Sequence, residues 1–163
     1  MTQASGVKCA VREVGREAAD VLWVRCLEGV DRIACFGSES APDRTHGDVF
    51  WEILEDGEVV GLGWARNRCG GKAISQGRCL LPAFRRRGRS REHTVALTAA
   101  MFAWLPTAKT IVGMAYSTNP PSVARLERDY RRIGTIPLGD QTLYIYLIAE
   151  RDVDQTAVSQ CAL

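Results

Sequence analysis

Leu80-Leu81-Pro82-Ala83-Phe84-Arg85-Arg86-Arg87-Gly88-Arg89-Ser90 is the stretch whose reading decides the fold. Before it runs an apolar segment, residues 73–81 (AISQGRCLL), which reads as a strand ended by Pro82. After it, residues 91–105 (REHTVALTAAMFAWL) read as a helix, with Val95, Ala99, Phe102 and Leu105 on one face and Leu97, Met101 and Trp104 beside it. A strand, a short basic loop and a helix in that order expose the unsatisfied amides of a helix start, and the positive end of its dipole, to the loop. Gly88 lets the backbone come close to an anion, and the arginines around it add charge-assisted hydrogen bonds. The residues alone therefore predict a phosphate cradle.

The rest of the chain sets that loop in a single domain, residues 1–150, followed by a polar tail, 151–163. A chain of 163 residues can bury a sizeable core without staples. Its net charge of +2 is small, yet 18 of the 21 basic residues are Arg and five of those lie between Arg85 and Arg91. A local basic cluster on a near-neutral protein points to a polyanion site more than to a body that coats nucleic acid. The six cysteines, at positions 9, 26, 35, 69, 79 and 161, form no C-x-x-C pair and have no neighbouring histidine. That spacing does not support a zinc site, and scattered thiols behave as small buried hydrophobes in a reducing compartment. With no signal pattern and no long apolar run, the expectation is a cytoplasmic protein without a membrane segment.

Outward from the loop, residues 7–14 read as a first strand and 16–29 as a helix with Ala18, Leu22, Cys26, Val21 and Val24 on a broad apolar stripe. A short helix around 30–36 and a polar loop over 37–48 follow. Residues 49–54 and 58–66 flank Glu55-Asp56-Gly57, an Asp-Gly hairpin signal. Residues 109–117 read as a strand, and Asn119-Pro120 as a helix cap followed by a first-turn proline. Val123, Leu126, Tyr130 and Ile133 keep helical spacing up to a stop at Gly134, and 141–149 is the last strand. The order β-α-α-β-β-β-α-β-α-β describes an α/β layer with a mixed sheet.

A strand ending in apolar-x-Pro, then Arg85-x-x-Gly88-x-Ser90 and a helix, resembles the signature of the GNAT superfamily of acyl-CoA N-acyltransferases. Ser90 stands where that family usually has Gly or Ala. The second family motif is resembled by Asn119 and by Tyr130-Arg131-Arg132-Ile133-Gly134-Thr135, with Thr135 for the usual Phe and about one extra helical turn before Gly134. The resemblance spans residues 7–149, and compact phage-encoded members are the most alike.

The resemblance implies a single-domain α/β fold: a mixed, mostly antiparallel sheet with helices on both faces, splayed so that acyl-CoA enters between two central strands. It implies acetyl-CoA as cosubstrate, no metal, and an amine acceptor of open class (small molecule, protein or modified nucleobase), the chain acting as monomer or homodimer. Arg85, Gly88 and Ser90, with Arg86, Arg87, Arg89 and Arg91, would hold the CoA phosphates, and Asn119 would belong to the same site. Strand amides at Cys79, Leu80 and Leu81 would hold the oxyanion, and Tyr130 would protonate the leaving thiolate, as a phenol of pKa about 10 can at neutral pH.

Bland readings stand beside these. The arginines could be a solvated charge run, Tyr130 a core aromatic, and Cys79 a buried inert thiol. Five arginines also exceed what the CoA phosphates require, which leaves nucleic acid as an alternative partner. A non-catalytic structural protein keeping the fold is the other alternative. The Glu that the family often places on the strand before the loop is missing, since 73–81 offers only Ser75 and Gln76 there. Glu39, Asp43, His46 and Asp48 are the other candidates for a base, and an amine can also lose its proton to water.

Overall fold

The computed structural model describes residues 6–31 and 47–151. Glu39, Asp43 and His46, most of the helix expected over 30–36, and the tail from 152 on lie outside the described residues.

Strand β1 (Cys9–Val14) leads through Gly15 into helix α1 (Arg16–Cys26), which has Glu17 in its first turn and Arg25 in its last, each charge complementing the helix dipole. The buried face of α1 is Ala19, Leu22, Trp23 and Cys26, an i, i+3, i+4, i+7 set. It is rotated from the expected stripe, since Val21 and Val24 are exposed: the indole of Trp23, edge-on to Trp64 at 5.0 Å between ring centroids, carries the packing instead.

Strands β2 (Val49–Glu55) and β3 (Glu58–Arg68) form the hairpin expected from Asp56-Gly57, whose φ angles are 48° and 87°. A 3-10 turn at Cys69–Gly71 returns the chain into β4 (Ala73–Leu80), antiparallel to β3. Helix α2 (Ser90–Trp104) crosses to β5 (Thr110–Tyr116), which pairs parallel with β4. The buried face of α2 is His93, Thr94, Leu97 and Met101, while Val95 is exposed, so the inward stripe sits one residue away from the one centred on Val95.

Helix α3 (Pro120–Asp129) starts as expected: the Asn119 side chain accepts a hydrogen bond from Ser122 N at 3.4 Å and Pro120 follows. It ends sooner than the spacing predicts. Tyr130 is extended (φ −140°, ψ 156°), and Arg131–Leu138 is a strand, β6, paired with β7 (Gln141–Glu150). The helix through Ile133 is thus corrected to a helix and a further strand.

Among the described residues the sheet order is β1-β2-β3-β4-β5-β7-β6, antiparallel throughout except for β4–β5. Helix α1 packs on Phe50, Leu62 and Cys79 on one face. The other face carries α2, over Trp51, Ile53, Ile74 and Ile111, and α3, over Ala115 and Tyr146. Strands β4 and β5 pair only from Ala73↔Thr110 to Gln76↔Gly113, then part while both continue, β4 to Leu80 and β5 to Tyr116. The expected mixed, mostly antiparallel sheet with helices on both faces and a central opening is what the chain builds. No helix among the described residues is long and apolar enough to cross a membrane.

Candidate active site

Where β4 and β5 part, a cleft of about 980 Å³ passes through the sheet. Gln76 and Gly77 line it from β4, Gly113 and Met114 from β5. Gly77 is needed here because the Trp64 ring lies on the strand backbone: a Cβ at this position would sit 2.2 Å from the indole. The amide of Leu81 donates to Val60 O at 2.9 Å. Antiparallel alternation then turns the Cys79 and Leu81 amides towards β3, and those of Arg78 and Leu80 towards the side that β5 has left. Of the three residues expected to supply oxyanion donors, only Leu80 therefore faces the opening, and Arg78 joins it.

The loop begins with a 3-10 turn at Pro82–Phe84, and its reversal uses positive φ at Arg86 (62°) and Gly88 (74°). Arg89 at the N-cap of α2 makes no side-chain cap hydrogen bond. The first helical amide bond is His93 N to Arg89 O, at 3.2 Å, so the amides of Ser90 to Glu92 have no partner within the helix. Residues 85–90 line the cleft. The strand, loop and helix expected from the sequence are present in that order, but the arginines of the loop do different things. Arg85 is a brace: Nε donates to Leu80 O at 3.2 Å and Nη2 to Cys26 O at 2.8 Å, tying the end of β4 to the C-terminus of α1. Arg87 stacks 4.5 Å above the Phe84 ring, Arg89 lies 3.9 Å from Glu92, and Arg91 points out of the cleft, 4.0 Å from Asp129.

Two arginines that sequence reasoning passed over lie deeper. Arg78 of β4 donates to Ser90 O at 2.7 Å, to Thr94 Oγ1 at 3.1 Å and to Ser90 Oγ, while Arg125 of α3 reaches the same Oγ at 3.4 Å. Both line the cleft. Burial pushes the Arg78 guanidinium below its ordinary value and the like charge of Arg125 adds to this; burial also lowers Arg125. Neither is ion-paired with a carboxylate among the described residues, and guanidinium stays charged in proteins, so the pair presents a partly desolvated positive wall. The one available signal was an arginine inside an otherwise uncharged strand.

Asn119 lines the cleft, whereas Tyr130 lies beside it, half-buried against Ala115, Leu126 and Tyr146 and within electrostatic reach of Arg78 and Arg125. Gln76 Oε1 is buried without a partner at the point where the strands part. Ser75 Oγ accepts from Arg68 Nε at 3.0 Å, and Asp48 accepts from Asn67 N at 2.7 Å in an exposed turn. At the α1 end, Asp20 and Asp31 line the cleft, so one mouth is basic and the other carries carboxylates. The Cys79 thiol is pushed well up by burial, and a hydrogen bond to the free thiol of Cys26 adds to this, which suits the inert reading and not a nucleophile.

No family model matches the sequence, and no curated protein matches it by sequence. Solved structures do match the fold. A GNAT-family acetyltransferase from Bacillus anthracis superposes with a TM-score of 0.61 at 15% identity, over 86% of this chain and 93% of that one. The aminoglycoside acetyltransferase AAC(6')-Ib, solved with coenzyme A and kanamycin, gives 0.66 at 12% identity over 95% of this chain and all (100%) of that one. A GCN5-related N-acetyltransferase from Brucella melitensis gives 0.62 at 15% identity, covering 85% and 74%. The chain has the GNAT fold.

Proposed function

We propose that the chain is an acyl-CoA-dependent N-acyltransferase that moves an acyl group, acetyl first among them, to an amine by direct attack. One observation carries this reading: the sheet opens between β4 and β5 into a cleft with helix-start amides that have no partner within the helix and two half-buried arginines at one mouth, and carboxylates at the other. That polarity suits an anionic donor entering from the α2–α3 side and a cationic amine from the α1 side. The aminoglycoside acetyltransferase AAC(6')-Ib holds coenzyme A and kanamycin on the same fold.

The residues present fit such a donor. The amides of Ser90 to Glu92 and the guanidiniums of Arg78 and Arg125 would hold its phosphate oxygens, with Arg85 holding the loop in place. Bound acetyl-CoA supplies an activated thioester. The Arg78 and Leu80 amides, free of any strand partner on that side, would donate to the oxygen on which charge develops. The unpartnered Gln76 Oε1 would accept an N–H at the narrowest part of the opening. Tyr130 would give its phenolic proton to the departing sulfur, and the amine's own proton would leave to water, since β4 carries no carboxylate to take it.

The test is release of free CoA from acetyl-CoA when amines, peptides and nucleosides are offered in turn. Thiol released in proportion to an acylated amine supports the reading. Acetyl-CoA hydrolysed at one rate whatever is offered, or left intact by every acceptor, counts against it.

A further inference from the structure

Away from the cleft, three residues remote in sequence meet on the α2 face of the sheet. Cys9 and Glu55 are opposite one another in the β1–β2 register, so their side chains leave the sheet on the same side. His93, in the first turns of α2, lies directly over them and is fully buried. Its Nε2 is 2.7 Å from Glu55 Oε1, and one ligand atom from each of the three residues lies within 4.8 Å of the others. The second ring nitrogen of His93, Nδ1, is buried with no hydrogen-bond partner.

We propose that Cys9, Glu55 and His93 form a divalent-metal site for an ion of the zinc class, with water at the remaining position. The donor set selects the ion. Thiolate, imidazole and carboxylate together suit a borderline-soft tetrahedral cation, whereas calcium and magnesium take oxygen ligands. Bond lengths of about 2.0–2.3 Å put tetrahedral ligand atoms roughly 3.3–3.6 Å apart, so ligation asks the Glu55–His93 contact to open slightly and the Cys9 thiol to close in. Both are side-chain movements.

The surroundings favour a cation. Glu55, Glu92 and Asp56 act on the Cys9 thiol against Arg89 alone, and His93 faces Glu55 and Glu92 against Arg78. Access is available too, because Cys9 opens onto a groove of about 760 Å³ that Val7, Gly88, Arg91 and Glu92 also line. None of the three ligands lines the through-sheet cleft, so the site stands independently of the proposed acyl transfer. Its effect would be mechanical. An ion here pins the β1–β2 corner to the start of α2, whose His93 amide is bonded to the Arg89 carbonyl, and so stiffens the turn that presents the anion-binding amides.

The test uses the full-length chain stripped of metal and titrated with Co²⁺, then Zn²⁺. The expected result is one equivalent of Co²⁺ bound with a thiolate-to-cobalt charge-transfer band, bleached as Zn²⁺ replaces it. Cys9→Ser should abolish the band and weaken Zn²⁺ binding at least about tenfold, while Cys69→Ser, at an exposed turn thiol, should keep both. In the unmodified chain, Zn²⁺ should slow alkylation of Cys9 and leave Cys69 as reactive as before, a readout that needs no variant to fold. A wild-type chain without a thiolate band, a band that survives Cys9→Ser, or alkylation of Cys9 indifferent to Zn²⁺ overturns the proposal.

Discussion

Gly88 allows backbone strain and charge to be separated at one position. Its φ is 74°, and a Cβ built there would meet nothing within 4 Å. Gly88→Ala and Gly88→Glu therefore share one cost, the left-handed conformation of an L-residue, about 1–2 kcal/mol. In a domain of this size each kcal/mol lowers Tm by about 2–4 °C, equally in both variants. They differ only in the carboxylate. A unit charge roughly 6 Å from a doubly charged pyrophosphate costs about 1.4 kcal/mol even at the dielectric of water, and several times that in a protein-like medium. That is at least about tenfold in Kd at low salt, shrinking as salt rises. Calorimetry of acetyl-CoA binding to the wild type and both variants, at two ionic strengths, reads the difference. The Ala variant should stay close to the wild type and the Glu variant should fall well below both. Equal affinity of Ala and Glu variants would show that Gly88 does not face the phosphates and would refute the cradle.

The other substitutions test one role each. Tyr130→Phe keeps the ring against Ala115 and Leu126 and should lower turnover about 10²–10⁴-fold with acetyl-CoA affinity unchanged; unchanged turnover makes Tyr130 a packing residue. Arg85→Met loses the bonds to Leu80 O and Cys26 O and should cost about 1–3 kcal/mol in chemical denaturation; a variant as stable as the wild type would mean that Arg85 does not brace the loop. A hydrogen bond from Arg128 holds the Asp129 carboxyl below the usual carboxylate range. Its contribution is therefore complete above the unfolded value and lost as pH falls through the folded one, so Asp129→Asn should flatten the acid limb of a stability–pH curve.

What the sequence disclosed and what it withheld have separate physical causes. The Asp56-Gly57 hairpin, the Asn119-Pro120 cap and the strand-loop-helix around Gly88 are local, and local backbone chemistry is written in neighbouring residues. The end of α3 was misread because Val123, Leu126, Tyr130 and Ile133 keep a 3.6 period across the boundary at Asp129. β6 gave no strand signal because it is a sheet edge: Arg131, Arg132 and Pro137 are residues that protect an edge from further pairing. The stripes on α1 and α2 were each displaced by about one residue, since several valines fit a helical period and only the sheet decides which face turns inward. Arg78 stood out only as a lone charge in a strand, and its meeting with Arg125, like that of Cys9 with Glu55 and His93, was not legible. Their partners come from different elements, and no spacing along the chain encodes a meeting made by sheet register and helix packing.

The most direct test of the central claim is a crystal structure of the chain with acetyl-CoA bound. The account predicts the pyrophosphate within hydrogen-bond distance of the amides at the start of α2, with Arg78 and Arg125 alongside, and the thioester in the gap beyond Gln76 and Gly113. Acetyl-CoA bound anywhere else, or a complex in which β4 and β5 have closed over that gap, would contradict it.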